Sequence, residues 1–281
     1  MFAASIMKSN TIKKAEISSQ IIKNFKSEIL NRYVTFEIIL PPDFNENTKK
    51  TYPFLILNDG QDNEAVKIKE ALIHFFNHNL ETSFITIGIH AGERLQEYGV
   101  AGKPDFKKRG SKADLYTHFL MKELLPVLGK TFRCDLYSKK NVIAGYSLGG
   151  LSAIDIAWNN DHIFSKAAAF SGSFWWRKKA LDKGYKDETD RILLSEIKKS
   201  KLKPNLRFWF QAGTQDEKSD RNNNGIIDAI DDTLDLITIL AQKGYRPYDD
   251  VVYYQIEQGE HIPETWAHAM PEFLNWAFST K

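Results

Sequence analysis

The chain has 281 residues, with 38 lysines and arginines against 36 aspartates and glutamates, for a net charge of +2. Acids and bases are interspersed, whereas nucleic acid or an anionic membrane surface needs a clustered basic patch, so neither is expected as a partner. Apolar residues make up 42% and charged residues 26%, which excludes the disordered and fibrous classes. A single cysteine, Cys134, precludes an intramolecular disulfide and, with no CxxC or neighbouring histidine, reads as an inert thiol. No apolar run reaches the length of a membrane helix. The opening MFAASIMKSN has too short an apolar part for a signal-peptide core. A soluble single domain over residues 1–281 with a cytoplasmic address is expected, although a chain that had lost a leader would read the same way.

In chain order, AEISSQIIKN and RYVTFEIILPP alternate as half-buried strands do and lie close together, so the chain opens on an antiparallel pair, with residues 1–26 as its N-terminal strand region. YPFLILND is a continuous apolar run of the kind parallel strands buried on both faces show. EAVKIKEALIHFFNHN has helical spacing, SFITIGIH is a second buried strand, and DLYTHFLMKELLPVLGKTF a second helix. NVIAGYS, KAAAFSG, LRFWFQAG and DVVYYQIEQG follow as strands, separated or followed by helices in LGGLSAIDIAWNN, TLDLITILAQKG and ETWAHAMPEFLNWAF. Strands alternating with helices predict an α/β chain with a mostly parallel sheet and helices on both faces. Ligands of such sheets sit beyond the carboxyl ends of the strands. Residues just after strands are therefore the candidates for chemistry.

Ser147 stands in Gly145-Tyr146-Ser147-Leu148-Gly149, between a strand and a helix. The G-x-S-x-G pattern in that setting raises a hydroxyl above the sheet on a strained turn, with the next N–H aimed at the reaction centre. The plain alternative is a tight turn with a helix-capping serine. A serine needs a base, and the base needs an orienting acid, which on this topology follow in the order acid, then histidine. Of seven histidines, His261 follows the last strand, as the base should. His74, His78, His118, His162 and His268 fall in or beside helices, and His90 follows a strand but precedes the serine, where it can line the pocket. Asp216 is the first carboxylate beyond LRFWFQAG; Glu217 is its competitor and Asp182 a more distant one.

Residues 220–231, DRNNNGIIDAID, match a calcium-type loop of twelve residues, with oxygens from Asp220, Asn222, Asn224, the Ile226 carbonyl, Asp228 and Asp231, and Gly225 at the sharp turn. Asp231 in place of glutamate shortens the last arm, and a strand rather than a helix precedes the loop. The alternative is a polar surface turn capping the next helix. A structural Ca2+ would pin the chain after Asp216, though free calcium is scarce in a cytoplasm. The polar, glycine-rich segment 90–112 follows a strand and is expected to form the pocket rim, with Arg94, Tyr98 and Trp175 or Trp176 as substrate contacts or, equally, as scaffold.

The segments SEILNRYVTFEIILPPDF, YPFLILNDGQD, GYSLGG, FSGSFWW and GEHIPETWAHAMPEFLNWAF resemble, over about residues 27–278, one esterase branch of the α/β-hydrolase superfamily. That branch holds esterase D-type enzymes, siderophore and feruloyl esterases, and mycolyltransferases. The resemblance implies the α/β-hydrolase fold, a serine carboxylesterase with no organic cofactor, and a small-molecule ester as partner. It also implies Ser147, Asp216 and His261 as triad, with Gln61 and Leu148 donating the oxyanion N–H groups. The chain departs from the branch in its calcium-like loop and in Gly259-Glu260-His261, where Gly-Gly-His is common. An acyltransferase of the mycolyl type shares the first half-reaction, and a calcium-stabilised binding protein shares the fold. The natural ester and the oligomeric state leave no mark on the sequence.

Overall fold

The computed structural model describes residues 15–46 and 48–279. The first part of the expected N-terminal strand region, residues 1–14, lies outside the described residues. One eight-stranded sheet runs through the chain in the order β1-β2-β4-β3-β5-β6-β7-β8. Its strands are β1 (Ser18–Ser27), β2 (Arg32–Leu40), β3 (Phe54–Asn58), β4 (Ile85–Ile89), β5 (Val142–Tyr146), β6 (Lys166–Phe170), β7 (Arg207–Gln215) and β8 (Val251–Glu260). β1 pairs antiparallel with β2 and β2 with β4, and from β3 to β8 every neighbour is parallel. This is the α/β-hydrolase fold expected from the sequence.

The buried runs explain why the sheet is covered on both faces. Along β3, Phe54 and Ile56 belong to one core while Leu55 and Leu57 belong to the other. The two-residue period of a strand sends alternate side chains to opposite faces, so a continuous apolar run demands two layers of cover. One layer is α1 (Ile68–His78) with α9 (Pro263–Phe278), which supply Leu72, Phe75, Phe76, Met270, Phe273 and Leu274. The other contains α3 (Ala113–Phe119), α4 (Leu125–Phe132), α5 (Leu148–Asn159), α7 (Ile192–Lys199) and α8 (Asp228–Gln242). No helix among the described residues is long and apolar enough to cross a membrane.

Two local features depart from the sequence reading. The helix expected over 114–132 is two α-helices joined by a π turn at Leu120–Leu124. Short helices α2 (Arg94–Glu97), α6 (Asp187–Asp190) and α7 occupy stretches given no element. They are too short, and α6 too acidic, for an apolar period to show. They are held by tertiary contacts instead. Arg191 at the α6–α7 junction is buried and ion-paired with Asp232 at 2.6 Å and Asp235 at 2.5 Å on α8.

Ile56 is fully buried in the sheet centre. Ile56→Ala should lower the unfolding free energy by about 2–5 kcal/mol. The same change at exposed Ile21 in β1 should cost far less. Urea titration of both variants measures the contrast.

Candidate active site

β5 ends at Tyr146 and α5 begins at Leu148, leaving Ser147 as the single residue of the turn. Its backbone has φ 52 and ψ −118, a conformation costly for a non-glycine residue and common at functional turns. The flanking glycines make it sterically feasible. A Cβ on Gly145 would stand 2.4 Å from the Gly149 carbonyl oxygen, and one on Gly149 would stand 2.5 Å from Asp59 Oδ2. Strand, helix and the β3 loop therefore meet where only hydrogen atoms fit. Ser147 is half-buried, and its Oγ lies 3.3 Å from Ser173 Oγ, whose own N–H donates to the Ser147 carbonyl at 3.1 Å.

Beside this turn, the loop after β3 is locked down. The Asn58 amide donates to the Gly149 carbonyl at 2.8 Å and accepts from Tyr116 Oη at 2.8 Å. Asp59 is almost wholly buried and takes two bonds of 2.8 Å from Arg94, a bidentate pair that neutralises it. Arg94 also donates to the Tyr146 carbonyl at 3.3 Å. Gln61 spans two loops, its amide donating to Asp59 at 3.1 Å and accepting from the Ala91 N–H at 3.0 Å. Among the described residues, the backbone N–H groups of Gln61 and Leu148 make no hydrogen bond. Both precede the point where their helical turns supply acceptors, as the first N–H groups of a helix do.

The acid side is built by β7 and β8. Asp216, at the end of β7, is buried, with Oδ1 3.0 Å from Ser171 Oγ and Oδ2 without a partner. Loss of solvation raises its pKa, against the Gly213 backbone, the Ser171 bond and the pull of His261, which lower it. His261 follows β8 and is exposed on one side. The protein packed around it lowers its pKa from the usual 6.5, against an upward pull from Asp216. The two groups thus feel each other's charge. No hydrogen bond joins His261 to Asp216 or to Ser147 among the described residues. Such bonds are often open before substrate arrives. Glu217 turns the other way, toward Ser219, Asp228 and Asp232 at the start of α8, and its pKa is raised by burial there. Asp182 is exposed beside Lys183.

Of the expected rim contacts, Tyr98 and Trp176 are fully buried and form scaffold. Tyr98 accepts the Asp59 N–H at 3.0 Å, and Trp176 packs against Gly99 and Gly110. Segment 90–112 is therefore less of a surface loop than its polarity suggests, for Glu97, Val100 and Asp105 are buried too. Arg94, with its side chain 35% exposed, and half-buried Trp175, which carries the Arg109 guanidinium 5.0 Å from its ring centroid, remain at the surface. His90 lines a cleft of about 360 Å³ together with Glu37, Gln61, Asn63 and Lys69.

In loop 220–231, Asp220 accepts the N–H groups of Asn224 at 3.1 Å and Gly225 at 2.9 Å. The amides of Asn222 and Asn224 reach Asp231 at 2.8 and 3.3 Å. Asp228 is committed to Arg221, accepting its N–H at 2.9 Å and pairing with its guanidinium at 3.1 Å. Among the described residues, no group of three or more His, Cys, Asp or Glu side chains is placed to hold a metal ion. The expected donors thus gather only in part. Asp220, Asn222, Asn224 and Asp231 are linked to one another, whereas Asp228 faces a cation.

Sequence reasoning passed over Ser171, Ser173 and Trp266. The two serines follow β6 in FSGS, within the zone beyond strand ends where ligands sit, and the resemblance carried by FSGSFWW gave them no role.

The model of one protein family, described as Putative esterase, matches residues 27–277. A protein of Bacillus subtilis (strain 168), YbbA, described as uncharacterized, is 22% identical over 248 residues, covering 86% of this chain and 92% of its own. Among solved structures, a ferulic acid esterase superposes with TM-score 0.68 at 17% identity, over 94% of this chain and 97% of that one. The enterobactin esterase FES from Shigella flexneri gives TM-score 0.67 at 19% identity over 92% of this chain, which spans 59% of that longer protein. The S-formylglutathione hydrolase FrmB from Staphylococcus aureus gives 0.60 at 19% identity, over 94% and 98% of the two chains. With the family model matching nearly its whole length, this chain belongs to the Putative esterase family and is a carboxylic ester hydrolase on the α/β-hydrolase fold.

Proposed function

We propose that the chain cleaves carboxylic esters through an acyl-enzyme on Ser147, with His261 as general base and acid and Asp216 as its orienting carboxylate. The observation that carries the reading is the turn itself. Ser147 is held at φ 52 between β5 and α5, and among the described residues the N–H groups of Leu148 and Gln61 have no acceptor. Ser147 Oγ attacks the ester carbonyl while His261 accepts its proton. The N–H groups of Leu148 and Gln61 receive the charge that develops on the carbonyl oxygen. The imidazolium then protonates the departing alcohol. Water, deprotonated by His261, attacks the acyl-enzyme, and the proton returns to Ser147 as the carboxylic acid leaves. Asp216 Oδ2 is the unpaired acceptor available to the imidazolium during both proton transfers. The cleft beside Gln61, lined by Glu37, Lys69 and His90, suits a polar rather than a long aliphatic portion of the ester. Arg94 and Trp175 are the remaining candidates for contact with it.

The same reading gives loop 220–231 one Ca2+ in a structural role, held by Asp220, Asn222, Asn224, the Ile226 carbonyl and Asp231, with Asp228 joining once it leaves Arg221. What supports it is the linkage of Asn222 and Asn224 to Asp231 across the loop. The ion would stiffen the connection between Asp216 and α8. No step of the ester chemistry runs through it.

Ser147→Ala should abolish hydrolysis of a short p-nitrophenyl ester while the far-UV circular dichroism stays unchanged, and a wild-type rate in that variant would refute the nucleophile. Asp216→Asn should lower turnover by orders of magnitude more than Glu217→Gln, because His261 acts on the charge of Asp216 and not on that of Glu217; the reverse order would move the acid. Productive enzyme needs His261 neutral and Asp216 ionised, so activity must fall as pH falls. Because the His261 pKa is lowered, the acid limb of kcat/KM should lie below pH 6.5, as a property of the pair rather than of one residue. Removing calcium with a chelator should lower the melting temperature and restoring it should raise it again. No response in either direction would dismiss the ion.

A further inference from the structure

One buried constellation touches Asp216, His261 and the residue before Ser147. Ser171 follows β6 with φ 48, a left-handed conformation that few non-glycine residues adopt, and it is buried. Its Oγ lies 3.0 Å from Asp216 Oδ1 and 3.4 Å from Gln211 Oε1. A hydroxyl has one proton to donate, and the nearer, charged acceptor takes it. The same oxygen accepts the Nε1–H of Trp266 at 3.0 Å. That donor occupies the acceptor side of the hydroxyl and leaves its proton facing the carboxylate. The indole does more than donate. It stacks on Tyr146, the residue before the nucleophile, at 4.9 Å and 21°, and takes the His261 ring edge-on at 5.4 Å and 81°.

We infer that Ser171 and Trp266 are positioning residues for ester hydrolysis. Ser171 holds Oδ1 of Asp216 so that Oδ2 is the oxygen left for His261, while Trp266 sets the Ser171 hydroxyl and braces the imidazole against the nucleophile turn. This rests on the assignment of Asp216 and His261 made under the proposed function. A serine serving only to satisfy a buried carboxylate leaves the second oxygen unexplained. Asp216 Oδ2 is buried without a hydrogen-bond partner, a folding cost that calls for an explanation and that a role toward His261 supplies. Trp266 belongs to α9, Ser171 to the turn after β6 and Asp216 to the end of β7, so the relay also ties the last helix to the centre of the sheet.

The test is a kinetic cycle on a p-nitrophenyl ester, with the folding of each variant checked by circular dichroism. Ser171→Ala should lower kcat about ten- to a hundredfold, the worth of one hydrogen bond to a charged group, with KM changed less than about twofold. Trp266→Phe, which keeps the aromatic stack and loses the donor, should move kcat the same way by less. Added to Asp216→Asn, Ser171→Ala should cost little more, because the carboxylate it orients is gone. If the Ser171 loss persists in full in the folded double variant, Ser171 does not act through Asp216 and the inference falls. If Asp216→Asn alone keeps a near wild-type rate, the acid itself is misassigned, and the proposed function falls with it. Should Ser171→Ala fail to fold, the Trp266→Phe/Asp216→Asn cycle reads the same coupling.

Discussion

The close approach of three backbone segments around Ser147 is the constraint on which the site depends. β5 delivers the chain to the turn, α5 carries it away, and the loop after β3 lies against both, with Gly145 and Gly149 at the contacts. A side chain at either glycine would push the segments apart. Ser147 would then relax from φ 52, and the directions of its Oγ and of the Leu148 N–H would change with it. The strain at one residue is sustained because the sheet beneath and the helices on both faces leave the backbone no cheaper path.

Electrostatics around this turn are arranged by pairing buried carboxylates unequally. Asp59 receives both nitrogens of a bidentate Arg94, so its charge is spent on holding the loop that presents Gln61. Asp216 takes the Ser171 hydroxyl on Oδ1, close to the Gly213 backbone, while its Oδ2 has no hydrogen-bond partner. Two carboxylates a few strands apart are therefore held differently: one is neutralised as scaffold and the other keeps one buried oxygen without a hydrogen-bond partner. The buried pair of Arg191 with Asp232 on α8 shows a third use, as an ionic tie at the α6–α7 junction beside the apolar packing of α7 and α8.

Much of this was legible in the chain because it is local. The strand–turn–helix around Ser147, the apolar runs that need cover on two faces, and the order serine, acid, histidine are all written in short windows, and the described strands and longer helices fall where those windows place them. Readings that depended on which side of the chain meets which neighbour fared otherwise. Tyr98, in the polar, glycine-rich segment, and Trp176, in FSGSFWW, were expected at the rim as readily as in the scaffold, and both are buried, because segment 90–112 donates Gly99 N–H to Ser152 on α5 at 2.8 Å and lies with Gly99 and Gly110 against Trp176. Asp228 fits a metal-loop spacing but faces Arg221, a partner seven residues away that the spacing rule does not consider.

What the sequence by itself determined was the inventory: a hydroxyl on a strained turn, an imidazole after the last strand, a carboxylate after the one before, and enough alternating apolar residues to build a covered sheet. Periodicity and turn chemistry act over a few residues, so they survive without knowledge of the rest. Only the tertiary structure decided that Ser171 and Trp266, 95 residues apart, meet beside Asp216. That meeting is made by the packing of β6, β7 and α9 against one another, and packing is a property of the whole chain that no short window contains.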